Sequence, residues 1–134
     1  MKTNRGPAGK EAITERTVAF SLRLIKLFHE MEGDGAGRIL GRQLLRCGTS
    51  VGANVHEAQA GQSKPDFIAR MSVAHKEAEE TAYWLRLVRE SGLVAASRLA
   101  PLEDEAQQIA RVIAAILLSA KGRRPRTTPP RRHL

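Results

Sequence analysis

Apolar residues recur at alternating steps of four and three in four successive stretches of this chain, and that rhythm leaves few folds open. From about Lys10 to Glu32 they fall at Ile13, Thr17, Phe20, Leu24, Leu27 and Met31. From about Arg38 to Gln59 they fall at Leu40, Leu44, Cys47, Val51, Asn54 and Ala58, one of them polar. A third run passes through Phe67, Met71, Ala74, Ala78, Thr81, Leu85 and Val88, and a fourth through Leu102, Ala106, Ile109, Ile113, Ile116 and Ala120. Such spacing keeps one seam of a helix facing a partner and predicts left-handed packing of helices. Val18, Leu22, Ile25 and Phe28 widen the first stripe, as expected of a helix that touches two neighbours.

The breaks between the runs are equally readable. Gly33-Asp34-Gly35-Ala36-Gly37 stops the first helix, because glycine tolerates the backbone angles of a helix end. Ser63, with Asp66 three residues on and Pro65 in the first turn, predicts the start of the third helix after the Gly61-Gln62 turn. Gly92 closes that helix, and a link over Leu93 to Ala100 leads to Pro101 as the first residue of the fourth. Glu103, Asp104 and Glu105 then occupy the first turn and Lys121 follows the last, the order the helix dipole favours. The expectation is an all-α, antiparallel up-down-up-down four-helix bundle over residues 10–120. A disordered lead over residues 1–9 and a disordered basic tail over 121–134 are expected.

Within that frame the 134 residues make one domain, with 42% hydrophobic and 27% charged residues supplying a globular core and surface. The longest apolar run, Val112 to Leu118, is far short of the roughly 18 residues that span a bilayer. The N-terminus has no apolar segment of the secretory kind. The single cysteine, Cys47, has no intramolecular disulfide partner, which fits a reducing, cytoplasmic setting. On a helical seam it reads as a small buried residue.

The formal charge of +8 is unevenly placed. Residues 10–120 hold 14 Lys and Arg against 14 Asp and Glu. The excess belongs to Lys2 and Arg5 in front and to Lys121, Arg123, Arg124, Arg126, Arg131 and Arg132 behind. Arms of this kind find polyanions electrostatically. Arg38, Arg42 and Arg46, spaced by four with no acid between them, stack on one face of the second helix. Phosphate contact is one use of that row and a solvated face the other. With only 4% aromatic residues, base stacking on an aromatic platform is not expected.

The second helix carries Gly41, Gly48 and Gly52 on one face, each costing about 1 kcal/mol relative to alanine. Close approach of another helix justifies that cost, and room for the Trp84 ring is an alternative use. Asn54 at a seam position reads as a register or assembly device.

Catalytic arrangements are missing. No histidine has a carboxylate three residues before it, so the paired metal motif of helical bundles is absent. His75 and Glu79 are a lone i, i+4 pair. No glycine-rich loop follows a strand. The expectation is a protein that is not an enzyme, with no metal and no cofactor.

The ordered motifs carry a resemblance. Arg46, Ser50, Ala53, Asn54, Glu57 and Ala58 form R-x-x-x-S-x-x-A-N-x-x-E-A. Ser63, Lys64, Asp66 and Phe67 follow as S-K-x-D-F, then Glu77, Glu80, Thr81, Tyr83, Trp84 and Leu85 as E-x-x-E-T-x-Y-W-L. Over residues 45–94 the chain resembles the four-helix bundle family described from open reading frames in intervening sequences of bacterial 23S rRNA genes. The resemblance implies a ring-like homopentamer, presumed nucleic-acid binding and no enzymatic activity. A related branch includes the accessory proteins of diversity-generating retroelements, basic pentamers that bind nucleic acid and a partner reverse transcriptase, and this chain resembles the intervening-sequence branch more. Ser50, Asn54, Glu57, Glu77, Glu80 and Trp84 are then fold or assembly determinants, Asn54 and Glu57 pairing either within a chain or across a subunit boundary. No membrane partner is implied.

Overall fold

The computed structural model describes residues 10–122, and all regular structure among them is helical. The four helices are α1 (Lys10–Met31), α2 (Gly35–Gln59), α3 (Lys64–Ser91) and α4 (Ala96–Ala120). The expected lead and the residues beyond Gly122, with Arg123, Arg124, Arg126, Arg131 and Arg132, lie outside the described residues.

Contacts between helices fix the topology. Gly41 faces Phe28, Gly48 faces Leu24 and Gly52 faces Thr17, so rising numbers on α2 meet falling numbers on α1. Arg46 meets Glu80 and Glu57 meets Arg70, which sets α3 antiparallel to α2. Arg89 meets Glu103 across α3 and α4. Arg16 to Glu105 and Glu30 to Arg98 close α4 back onto α1. The diagonal pairs, α1 with α3 and α2 with α4, have no Cα atoms within 8 Å of each other. Each helix therefore touches its two sequence neighbours, or for α1 and α4 each other, around one core.

That core draws on all four helices: Phe20, Leu24 and Leu27 from α1, Val51 and Val55 from α2, Met71 and Leu85 from α3, Leu99, Ile109 and Ile113 from α4. Each large side chain removed from water there contributes about 1.5–3 kcal/mol. Two buried hydroxyls accompany them. Thr17 donates to the Thr14 carbonyl at 3.0 Å and Thr81 to the Glu77 carbonyl at 2.7 Å, so neither is left unsatisfied in the interior.

The caps follow the sequence at α3. Ser63 accepts from the Asp66 N–H at 3.2 Å, and Gly92 ends the helix at φ 79°, a left-handed conformation that favours glycine. Elsewhere the structure corrects the expected boundaries. α2 starts at Gly35 and not Arg38, because Asp34 caps it by accepting the Gly37 N–H at 2.8 Å. α4 starts at Ala96 and not at Pro101, which lies inside the helix. The early start buries Leu99 and spares the chain a longer irregular link. It also moves Glu103 and Glu105 out of the first turn. Their carboxylates act as acceptors for arginines of neighbouring helices, not as complements to the helix dipole.

Two stripes are corrected as well. Val18, Leu22 and Ile25 do not pack between neighbours but stand exposed on the outer side of α1. Asn54 is half-buried and Val55 takes the core position beside it. The cause is the glycine row. Gly41, Gly48 and Gly52 let α1 approach so closely that the buried face of α2 rotates toward them, carrying Val55 inward and Asn54 outward.

Candidate functional site

The residues that carry the sequence motifs converge on the outer side of the α2–α3 pair. Helical spacing puts Gln43, Arg46, Ser50, Asn54 and Glu57 along one edge of α2, and Glu77, Glu80 and Trp84 along the facing edge of α3. Arg46 bridges the two helices. Its guanidinium donates to Oε2 of Glu80, stands 3.7 Å from Oε1 of Glu77, and donates twice to the Gln43 side-chain carbonyl at 3.1 and 3.2 Å. Trp84 donates its indole N–H to the same Glu80 oxygen at 3.0 Å. The ring of Tyr83 meets Trp84 edge to face, with centroids 5.2 Å apart.

This geometry moves the charges. The Trp84 indole donor, aided by Arg46 against the cost of partial burial, holds the Glu80 carboxyl below its ordinary value. Arg46 is raised in turn, first by its hydrogen bond to Glu80. Glu77 Oε1 is buried without a hydrogen-bond donor, so Arg46 is the charge that compensates it.

The remaining motif residues act locally. Asn54 donates to the Ser50 carbonyl and hydroxyl at 2.9 and 3.0 Å, one turn back on its own helix. Glu57 pairs with Arg70 at 3.2 Å with both side chains more than half exposed. Asn54 and Glu57 thus have partners within the chain. The Trp84 ring does not fill the glycine row, whose space is taken by Phe28, Leu24 and Thr17 of α1.

The arginine row divides. Arg46 is committed to acids of α3. Arg38 is exposed and, among the described residues, its side chain reaches only the Glu32 carbonyl, at 3.5 Å. Arg42 is exposed, and among the described residues it has no hydrogen-bond or ion-pair partner. Lys121 caps the far end of α4, where Ala120 lines a cavity with Gln59 and Gly61 of the α2–α3 turn. From Arg42 to Gln59 is about 25 Å along α2. Arg42 and Lys121 therefore sit toward opposite ends of the bundle and do not merge into one patch.

Cys47 is fully buried, and burial pushes its thiol up. Thr81 approaches its sulfur at 3.2 Å. His75 and Glu79 stand 3.8 Å apart on α3 with no third ligand, and the described residues hold no cluster of three or more His, Cys, Asp or Glu suited to a metal. No described helix is long and apolar enough to cross a membrane. Sequence reasoning missed the arginine–carboxylate links of α4. Arg16 grips Glu105 through two hydrogen bonds of 2.9 and 3.0 Å and also reaches Gln108. Only the charge order along α1 and α4 hinted at them.

Comparisons with known proteins agree with this architecture. The family model described as 23S rRNA-intervening sequence protein matches residues 10–115. A crystal structure of a protein with unknown function from the S23 ribosomal protein family of Bacteroides thetaiotaomicron VPI-5482 is similar with a TM-score of 0.77 and 29% identity. The match covers 81% of this chain and 96% of that one. Among curated proteins there is no match.

Proposed function

The chain belongs to the 23S rRNA-intervening sequence protein family, and from that premise we propose a non-catalytic helical bundle that assembles with copies of itself, as a ring-like pentamer, and binds nucleic acid, RNA foremost, through phosphate contacts. The observation that carries the reading is the state of Arg38 and Arg42. They lie one turn apart on an exposed row, and neither faces a carboxylate among the described residues. Arginines that face no carboxylate match phosphate oxygens with a planar fork of donors. Lys121 adds charge at the other end of the bundle, so a long flexible polyanion suits the protein better than a small anion.

Binding of this type weakens with salt. Anisotropy titrations of a labelled single-stranded RNA across a salt series should show a steep slope for the intact protein. Arg38→Glu with Arg42→Glu, and separately truncation after Ala120, should weaken binding and reduce the slope by about 0.7 for each phosphate no longer neutralised. Absence of RNA and DNA binding by the intact protein at low salt would sink the reading.

A second reading rests on Tyr83 and Ile39, large side chains 54% and 64% exposed on α3 and α2. They favour a protein-interaction scaffold or accessory subunit whose partner covers the α2–α3 face, a reverse transcriptase being the partner type of the related branch. Under that reading the basic residues serve solubility and the salt series is flat.

A further inference from the structure

Two features of the surface are left without a role by the bundle. The first is the strip on α1. Val18, Leu22 and Ile25, spaced i, i+4, i+7, are 42%, 60% and 40% exposed, and they face away from both α2 and α4. The second is an open groove of about 380 Å³ between α3 and α4. Alanines line much of it, Ala78 and Ala82 from one helix and Ala106, Ala110 and Ala114 from the other, with His75, Glu79, Gln107 and Arg111 completing the lining. The short alanine side chains leave space into which branched residues of another helix fit, as ridges into a groove.

We propose that the α1 strip of one copy seats in the α3–α4 groove of the next. The inference rests on the self-assembly proposed for the bundle and names the surfaces that carry it. A chain cannot fill its own groove, because α1 lies diagonally across the bundle from α3. The occupant must come from another molecule, and charge points to a second copy. Glu15 and Lys26 stand on one flank of the strip, about 16 Å apart along α1. Asp104 and Arg111 stand on the outer flank of α4, about 10 Å apart. Glu15 and Arg111 are exposed and have no hydrogen-bond or ion-pair partner among the described residues.

An α1 running antiparallel to α4 of the next copy brings Glu15 to Arg111 and Lys26 to Asp104, the long basic side chains spanning the difference in spacing. The reversed docking sets like charges together, so the order of charges selects the orientation. Donating and receiving faces differ, which makes the contact head-to-tail. Such a contact closes into a ring or runs on as a filament.

The test uses two full-length variants. Leu22→Asp spoils the strip and leaves the groove. Ala114→Arg fills the groove and leaves the strip. Arg111→Glu replaces the latter if its helical circular dichroism is lost. By sedimentation, each variant alone should give the monomer mass of 14.7 kDa. Mixed in equal amounts, at concentrations up to about 0.5 mM because ring closure no longer helps, they should form a one-to-one dimer of about twice that mass. Variants that keep the wild-type oligomer, or a mixture that stays monomeric, overturn this interface. A wild-type chain that is itself monomeric instead removes the self-assembly reading on which it rests.

Discussion

The indole nitrogen of Trp84 lies 3.0 Å from Oε2 of Glu80, one turn earlier on α3, and the same oxygen receives Arg46 from α2. Three motif residues thus form one intrachain link, and the tryptophan reports on it. Glu80 is 37% exposed at its side chain and Arg46 51%, so solvent screening limits the charge pair to about 1 kcal/mol.

The link sets a dependence on pH. Glu80 titrates below its ordinary value near 4.5 in the folded protein. A carboxyl lowered on folding contributes stability above its unfolded value, and that stability is lost as pH falls through the folded one. Urea midpoints should be level above about pH 5 and fall below about 4.5, with Glu80→Gln falling less steeply. Glu30 and Glu90, also lowered by arginines, leave a residual slope. Trp84, the one tryptophan, should change its emission over the same acid range in the wild type and not in Glu80→Gln.

Gly48 stands where an added Cβ would overlap the Leu24 Cδ1 methyl. Leu24 is 1% exposed and has no outward path. Gly48→Ala gains about 1 kcal/mol of helix propensity but overpacks the core, which costs about 1–3 kcal/mol. A net loss of stability is expected. In Leu24→Ala, which alone costs about 2–5 kcal/mol, the same Gly48→Ala change should become stabilising. Additive effects in this double-mutant cycle would contradict the close approach of α1 to α2.

Pro101 sits in the sixth position of α4, where it withholds an N–H from the Ser97 carbonyl on the exposed side. Pro101→Ala restores that bond and removes the ring clash, against a small entropy gain of the unfolded chain. Thermal unfolding should show an increase in stability of about 1–2 kcal/mol. A decrease would mean that the α4 helix begins later in solution.

Cys47, buried and with its thiol raised, should resist Ellman's reagent in the native protein. Labelling through local opening alone is expected to run at least roughly a hundredfold slower than in urea. A native rate close to that of the unfolded chain would place the thiol at the surface.

The four-three rhythm carried most of the fold because burial of a helix depends on which residues share a face, and that is a property of spacing alone. Every seam residue of α1, from Ile13 to Met31, is buried, and Ser63 and Gly92 cap α3 where local chemistry places them. At α2 the rhythm failed at Asn54. The depth to which α1 settles onto Gly41, Gly48 and Gly52 is set by the partner helix, not by α2. The start of α4 was hidden for a similar reason, since the burial of Leu99 outweighs the loss of one hydrogen bond at Pro101.

The site divides along the same line. Charge and spacing picked out Arg38, Arg42 and Arg46, and the family resemblance picked out Glu77, Glu80 and Trp84. Only packing showed that Arg46 is bound to Glu80 while Arg42 has no partner among the described residues, because an arginine's availability depends on the acids that another helix brings within about 4 Å. The exposure of Val18, Leu22 and Ile25 was likewise decided in three dimensions. A sequence specifies that a helix has two apolar stripes, but the number of neighbours around it determines which stripe remains for another molecule.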